Sequence, residues 1–339
     1  MTTQHLSPLT MLLSRHTRRR EFITLLGGAV AAWPIAARAQ QPERMRRIGT
    51  VSVNPRSAPF YVAFERRLAE LGYQQGKNLS FEFIQIPSID EYESGFRELV
   101  ARNVDVIFSG GTELGLKWAL NITPTLPIVM LAIDFDPLAR GYVTSLARPG
   151  NVTGVFLQQI ELTVKRLQVV KDAFPDMRAA TVFWDRISAD QWFAAKDASP
   201  KLGLRLAGVE LREPPYDYDQ ALVQAAPDYR KNLFVLASPF FFRDRARLAD
   251  LAIRNRIISV FVFREWVDAG GLLSYGPSII GMYRRVADFV DRIAKGAKPA
   301  DLPIEQPTKF EFVINLKTAN AIGVDLPTSL LLRADEVIE

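Results

Sequence analysis

Hydrophobic and polar positions alternate along this chain with two periods. Short apolar runs, typical of buried strands, are separated by stretches in which apolar residues recur every three or four positions, as on one face of a helix. Near the start, the pattern predicts a strand at Ile48–Asn54, a helix at Ala58–Leu71 and a second strand at Leu79–Ile86. Strands that alternate with helices predict βαβ units around a parallel sheet.

This pattern occurs twice. The first copy continues with predicted strands at Val104–Ser109 and Pro127–Ile133 and helices at Tyr92–Arg102 and Glu113–Leu120. The second copy has predicted strands at Ala180–Trp184, Leu206–Leu211, Leu233–Ala237 and Ile257–Phe263, and helices at Ala189–Leu202, Tyr218–Ala226 and Arg243–Asn255. Leu71-Gly72 and Leu202-Gly203 stand at equivalent places, where glycine supplies the left-handed residue that closes a helix.

The repeat predicts an α/β protein of two doubly wound parallel-sheet lobes joined by a hinge, with a cleft at the carboxyl ends of the strands. Turn-rich crossings between the lobes are predicted at Ala147–Val152, Gly270–Pro277 and Ala297–Pro307. A helix at Ile280–Lys295 and the segment Phe310–Gly323 would return to cover the lobes. We therefore assign residues 46–154 plus about 276–303 to lobe 1, and residues 155–275 plus about 304–339 to lobe 2.

The first 39 residues have the three parts of an export signal. A basic stretch with Arg19-Arg20 precedes the apolar run Phe22–Ala37, and Ala37-Arg38-Ala39 forms a small-x-small cleavage site before Gln40. The paired arginines resemble a twin-arginine signal. A membrane anchor is the alternative, but the run is short for a bilayer span and contains glycine and proline. Translation from Met11 in place of Met1 would leave this signal intact.

The charge balance and the missing residue types narrow the function. Residues 1–39 hold five of the 42 basic and one of the 37 acidic side chains, which leaves 37 against 36 in the predicted mature chain. Such a surface gives no reason to expect nucleic acid as a partner. Both histidines precede Gln40 and there is no cysteine, so a histidine- or thiolate-based catalytic or metal site and a lipid anchor are not expected. We expect no cofactor.

The order of several short phrases is similar to one known family. They are Leu71-Gly72-Tyr73, Gly76-Lys77-Asn78-Leu79, Val104-Asp105-Val106-Ile107, Gly111-Thr112, Asp136-Pro137, Ser145–Gly154, Phe263-Arg264-Glu265, Gly270–Gly276, Ala297–Pro303, Glu305–Phe310 and Asn315–Ala319. Over essentially the whole mature chain, this order resembles the bacterial ABC-transporter substrate-binding proteins related to tryptophan-binding components. The resemblance implies a periplasmic-binding-protein class I fold, often called a Venus flytrap. It also implies an inner-membrane ABC permease as partner.

Two stretches depart from the pattern of that family. Trp184-Asp185-Arg186 stands where similar chains usually carry an Asn-Pro turn, and Asp134-Phe135-Asp136 replaces a commoner stretch containing glycine or valine. Both fall at predicted strand ends that face the cleft. The ligand therefore does not follow from the family alone.

In the first lobe, candidate ligand-binding residues follow the strand ends. Arg56 and Ser57 precede a helix whose free amides, with the guanidinium, suit a carboxylate, although Ser57 can equally be an ordinary N-cap and Arg56 a surface residue. Gly111 and Thr112 follow a predicted strand, where a Gly-Gly turn brings the backbone close to a ligand.

Asp134 and Asp136 project to the same side of an extended chain. As one interpretation, this pair binds an amino or guanidino group, with Asp136 as our candidate. As the other, Asp136-Pro137 simply opens a turn.

In the second lobe the equivalent positions are Trp184, Asp185, Ser238, Phe240 and Arg264. The two aromatic rings could hold an apolar or aromatic ligand body, and the guanidinium could hold a carboxylate. Each ring of Phe240-Phe241-Phe242 could instead seal the core. Tyr275, in a crossing strand, could reach the ligand from the hinge or only pack there.

We therefore expect a periplasmic solute receptor, without catalytic or metal-ligating residues, that closes its lobes over a small organic ligand and presents it to an ABC permease. An amino acid or aromatic carboxylate is favoured. One alternative is an exported enzyme that uses Asp134 and Asp136 for acid–base catalysis. Another is the same fold handing its ligand to a sensor protein instead of a permease.

Overall fold

The computed structural model describes residues 44–339. The predicted export signal lies outside the described residues. Within residues 46–339, twelve strands form two sheets, and helices lie against both.

The first sheet is wholly parallel. Its five strands, in spatial order β2-β1-β3-β4-β5, are β1 (Arg46–Ser52), β2 (Leu79–Gln85), β3 (Val106–Gly111), β4 (Ile128–Ala132) and β5 (Val152–Phe156). Each pairs with its neighbours in parallel register, for example Ile48 with Phe81 and Val106. Strand β4 contains only buried apolar residues, as expected for a parallel sheet covered on both faces.

Four helices cover this sheet. They are α1 (Pro59–Glu70), α2 (Tyr92–Ala101), α3 (Glu113–Ile122) and, from a later part of the chain, α10 (Ile279–Ala294). Helix α10 packs against α1, β3, β4 and β5. Ion pairs join the two helices, with Arg67 Nε 2.8 Å from Asp288 Oδ1 and Arg284 Nη2 2.8 Å from Glu70 Oε2. The chain therefore returns to the first lobe after it has built most of the second.

The second sheet has seven strands in the order β12-β11-β10-β9-β8-β6-β7. They are β6 (Ala179–Trp184), β7 (Arg205–Glu210), β8 (Asn232–Val235), β9 (Ile258–Phe261), β10 (Leu273–Gly276), β11 (Glu311–Asn315) and β12 (Glu336–Ile338). Strands β6 to β10 are parallel to one another, and β10 pairs antiparallel with β11.

Eight helices belong to this half of the chain. They are α4 (Gln159–Ala173), α5 (Ala189–Ala198), α6 (Tyr218–Gln224), α7 (Pro239–Arg243), α8 (Arg245–Arg254), α9 (Arg264–Asp268), α11 (Leu316–Ile322) and α12 (Thr328–Leu331). The predicted single helix at 243–255 begins earlier, because Pro239 opens the short α7, and a break at Asp244 separates it from α8. The two-lobed α/β fold is confirmed.

Details differ at the predicted crossings. The turn-rich stretch that ends at Val152 leads directly into β5, which completes the first sheet. The stretch 270–277 contains β10, whose backbone pairs with β9 and β11. Near the third crossing, the backbone of Glu305 donates to Gly154 and accepts from Phe156, so this segment borders β5. Extended segments that join lobes can find pairing partners in either sheet, which turn signals do not reveal.

Candidate ligand-binding site

A narrow cavity lies where strand ends of the two sheets face each other. Its lining residues are Ser52, Val53, Asn54, Phe60, Tyr92, Gly110, Gly111, Thr112, Ile133, Asp134, Ile187, Ala237, Ser238, Pro239, Phe242, Phe263, Trp266, Ile279 and Tyr283. Some of them follow the carboxyl ends of β1, β3 and β4 in one lobe and of β6, β8 and β9 in the other, and the rest belong to helices α1, α2, α7, α9 and α10. The space between them amounts to about 540 Å³, including the part open to solvent. This is the cleft geometry in which open parallel sheets bind ligands.

The turn after β3 presents backbone and a hydroxyl to the cavity. Gly111 has φ +97°, a conformation that glycine adopts without strain. Thr112 is the N-cap of α3, and its Oγ1 accepts a hydrogen bond from the amide of Gly115 at 3.3 Å. The side chain thus satisfies one of the free amides of the helix and holds the turn in place.

Asp134, just beyond β4, is a buried carboxylate in the same wall, 9 % exposed. Its Oδ1 accepts a hydrogen bond from the amide of Glu113 at 3.0 Å, which again satisfies the start of α3. Burial raises the pKa of the carboxyl well above its usual range, and the charges of Glu113 and Asp185 act in the same direction.

Across the cavity, Ser238 is held by a buried polar network. Its hydroxyl donates to Asp185 Oδ2, which also accepts from the Tyr216 hydroxyl at 3.2 Å. The other oxygen, Oδ1, accepts from the amides of Ile187 and Ser188. Asp185 is 1 % exposed and absent from the cavity wall, so it fixes the position of Ser238 from behind. Burial raises the pKa of Asp185 against these hydrogen bonds.

Aromatic rings from both lobes form the apolar wall. Phe60 on α1 lies edge-to-face against Phe242 on α7, with ring centroids 5.0 Å apart, and Tyr283 is 4.4 Å from Phe60. Phe242 in turn meets Trp266 at 5.0 Å. The indole Nε1 of Trp266 is buried and has no hydrogen-bond partner within residues 44–339. This side of the cavity is therefore built from closely packed aromatic rings, and it includes a buried donor without a partner.

Charged pairs bridge the two lobes beside this cavity. Arg140 of the first lobe pairs with Asp190 at the start of α5, and Arg186 after β6 has its Nη2 2.7 Å from Asp90 Oδ1. Arg140 Nε also lies 3.3 Å from Glu113 Oε2. A second, more polar cavity lined by these arginines shares Thr112, Asp134 and Ile187 with the first. The lobes are thus in direct contact at the mouth of the cleft.

Among the candidates from the sequence, the cavity wall includes Gly111, Thr112 and Ser238, together with Asp134 of the Asp134 and Asp136 pair. Asp185 supports Ser238 from behind. The other candidates lie elsewhere.

Both predicted carboxylate-binding arginines are engaged with acidic side chains. Arg56 pairs with Glu65 on α1, with Nε–Oε1 2.8 Å and Nη2–Oε2 2.6 Å. Arg264 pairs with Glu336 on β12, with Nη2–Oε1 2.6 Å. Ser57 is exposed and does not cap α1, whose N-cap is Ala58. These three residues are therefore outside the cavity.

Four further candidates pack or turn instead of lining the cavity. Asp136 opens a turn, where its Oδ1 accepts from the amides of Leu138 and Ala139 at 2.8 and 3.1 Å. Trp184 stacks on Trp192 at 6.0 Å. The remaining two are Phe240, which packs against Tyr216 and Arg243, and Tyr275, which stacks on Phe310 at the hinge. Since Asp136 stays outside, the carboxylate pair of the enzyme alternative does not meet in the cavity.

Sequence reasoning missed several lining residues. Asn54 follows β1 directly, so the strand-end rule that pointed to Arg56 could have found it. The sequence favoured Phe240 instead of Phe242, because periodicity does not determine which face of a five-residue helix lines the cleft. Tyr92, Tyr283 and Trp266 come from helices and carry no local signal of a site.

No group of three or more His, Cys, Asp or Glu side chains that could hold a metal ion is found in residues 44–339. In the same range, no helix is both long enough and apolar enough to cross a membrane.

Two α/β lobes face each other across a cleft that strand ends of both sheets help to line, which is the architecture of a two-lobed solute-binding protein. The family model described as "ABC transporter substrate binding protein" matches residues 60–338. The chain belongs to this family of substrate-binding proteins. The resemblance found in the sequence is confirmed.

Solved structures share the fold. An ABC domain from Streptococcus pneumonia in complex with L-Trp is 21 % identical, covers 87 % of this chain and all of its own, and has a TM-score of 0.75. A conserved domain protein from Vibrio cholerae matches with the same identity and coverage and a TM-score of 0.77. A solute-binding protein from R. palustris in complex with benzoate is 12 % identical, covers 79 % of this chain and 92 % of its own, and has a TM-score of 0.57. No curated protein sequence matches the chain.

Proposed function

We propose that this protein is the periplasmic substrate-binding component of an ABC importer, and that it binds a small aromatic solute between its lobes without transforming it. The proposal rests mainly on the cavity, which is lined by strand ends of both sheets. A ligand placed there touches both lobes only when they are closed, so binding and closure are coupled.

The aromatic wall supports the ligand class. Phe60, Phe242, Phe263 and Trp266 line the cavity and give it an aromatic wall against which a planar ring can pack. The L-Trp and benzoate of the two solved relatives are also aromatic. The sequence led us to expect an amino acid or an aromatic carboxylate as the ligand. The aromatic residues of the cavity support an aromatic ligand. A carboxylate on the ligand is not supported by Arg56 and Arg264, because both form ion pairs outside the cavity.

The export signal and the permease belong to the same proposal. The family match supports a partner ABC transporter. The arginine pair, apolar run and cleavage site before Gln40 support secretion through the twin-arginine route. Mass spectrometry of the protein from a periplasmic extract should find a mature chain that begins at Gln40.

A binding screen tests the receptor role. The protein from Gln40 onward is heated with amino acids, aromatic acids and amines, purines, sugars and polyamines, and hits are titrated calorimetrically. We expect a saturable stabilisation by one class, one ligand per chain and unchanged ligand on chromatography. Asn54→Ala, in the cavity wall, should lower the affinity roughly tenfold by removing a polar contact. Asn320→Ala, on the exposed face of α11, should not. Consumption of the hit would favour an enzyme instead.

A further inference from the structure

Asp134 has unused capacity to bind a ligand. Oδ1 accepts the amide of Glu113, the amide of Asp134 itself also interacts with the carboxyl group, and no side chain of residues 44–339 donates a hydrogen bond to it. The side chain is more than nine-tenths buried and lines the cavity. A buried carboxylate is costly unless a cation or donor completes it.

No basic side chain of residues 44–339 lines this inner cavity. The two charged side chains that shift the pKa of Asp134 are themselves acidic. Glu113 lines the second cavity, at the mouth of the cleft, and Asp185 lies behind Ser238. Both raise the pKa of Asp134. The local field therefore favours a positive charge at Asp134.

The basic residues of the mouth are largely neutralised. Arg140 pairs with Asp190 and Glu113, and Arg186 pairs with Asp90. Lys117, the remaining basic residue of the mouth, is exposed on α3. An anionic ligand would enter the inner cavity without a buried cation to meet it.

The rest of the wall suits the other end of such a ligand. Trp266 lies in the wall beside Phe242, and its buried indole Nε1 has no hydrogen-bond partner among residues 44–339, so it is a donor still available to an uncharged acceptor. We propose that the cleft selects small aromatic molecules that carry a protonated amine, with the ammonium bound to Asp134 and the ring between the aromatic side chains. This inference rests on the proposed receptor function and assigns the charge of its ligand.

Four probes that share one ring system test the charge preference by calorimetry: tryptamine, tryptophan, indole and indole-3-acetate. We expect tryptamine to bind most tightly, tryptophan more weakly because its carboxylate meets the acidic field, and indole-3-acetate most weakly of the charged probes. Asp134→Asn should weaken tryptamine on the order of a hundredfold, since it removes one partner of a buried charge pair. Its effect on indole should be several times smaller.

Matched controls separate binding from folding. Asparagine keeps an oxygen for the Glu113 amide and removes a costly buried charge, so Asp134→Asn should fold at least as stably as the parent. Asp136→Asn makes the same change two residues away, outside the cavity, and should leave the order and affinity of the probes unchanged.

The outcomes distinguish this inference from the receptor function. Tightest binding of indole-3-acetate or indole, or an Asp134→Asn variant that keeps the full tryptamine affinity, would overturn the charge assignment while the receptor role stands. The same holds if none of the four probes binds but a sugar or another non-aromatic compound from the broad screen does. If no compound of either panel binds, the receptor proposal itself fails.

Discussion

At the scale of single residues, buried acidic groups are the most informative feature of this molecule. Asp134 and Asp185 are both buried at strand ends, yet they serve different purposes. Both carboxylate oxygens of Asp185 accept hydrogen bonds, from Ser188, Tyr216 and Ser238. In Asp134, Oδ1 accepts the amide of Glu113, and no side chain of residues 44–339 donates to the carboxylate, which leaves it available to a ligand in the cavity. Hydrogen-bond accounting, not burial alone, separates the structural acid from the binding candidate.

A further acid, the partly buried Glu265 on α9, is expected to limit stability at neutral pH. Its Oε2 is buried and has no hydrogen-bond partner in the part of the chain that the structure describes, and burial raises the pKa of the carboxyl from 4.5 to about 7, assisted by Asp268 and Glu311. The folded chain therefore holds a proton between about pH 4.5 and 7 that the unfolded chain has released. Its stabilising contribution is complete below that window and is lost as the pH rises through 7.

Glu265→Gln should remove this loss. We expect the variant to be more stable than the parent by on the order of 1–3 kcal/mol at pH 8, with a smaller difference at pH 5. Urea unfolding at the two pH values measures it. Glu213→Gln, which changes an exposed carboxylate, should give no pH-dependent difference. A loss of stability at pH 8 in Glu265→Gln would contradict the argument.

At the scale of elements, the turns that follow the strands determine which side chains face the cleft. Strand ends were predictable from apolar runs, so Gly111, Thr112 and Ser238 were found in the sequence. The ion-pair partners of residues near these strand ends were not predictable. Arg264 is drawn to Glu336, a residue of β12 that is distant in the sequence, and this pairing follows only from the order of strands.

Pairing of β4 with β5 should depend on Gly154. A Cβ on this residue would lie 2.0 Å from the carbonyl oxygen of Met130, its partner in β4, and its φ is +131°. Gly154→Ala should therefore cost more than about 3 kcal/mol or prevent folding. Gly141→Ala, at φ +74° with open space around it, should cost only about 1 kcal/mol. Urea unfolding compares the two, and equal costs would show that the strands can separate to admit a methyl group.

At the scale of the whole molecule, function depends on how the lobes meet. The Phe60–Phe242 contact and the ion pairs Arg140–Asp190 and Arg186–Asp90 join them around the cavity. The paired side chains are largely exposed, so each pair contributes about 0.2–1 kcal/mol, and less at high salt.

Removing both ion pairs should shift the lobes toward separation. We expect the double variant Asp90→Asn with Asp190→Asn to show a larger radius of gyration in small-angle X-ray scattering at low salt than the parent does. Because high salt screens these ion pairs, it should increase the radius of gyration of the parent toward that of the variant. The control, Asp219→Asn with Asp250→Asn, removes exposed partners of Arg254 within the second lobe and should leave the radius unchanged. An unchanged radius in the first variant would mean that these pairs do not affect closure.

The sequence by itself determined the two α/β lobes, the family and the strand ends at which a site forms, because hydrophobic periodicity and local turn chemistry are short-range properties. Only the tertiary structure decided which side chains enter the cavity. Phe60, Tyr283 and Trp266 meet there because three separate helices converge on it, and Arg56 and Arg264 stay out because carboxylates compete for them. Which group reaches a ligand depends on partners far away along the chain, and no local pattern records them.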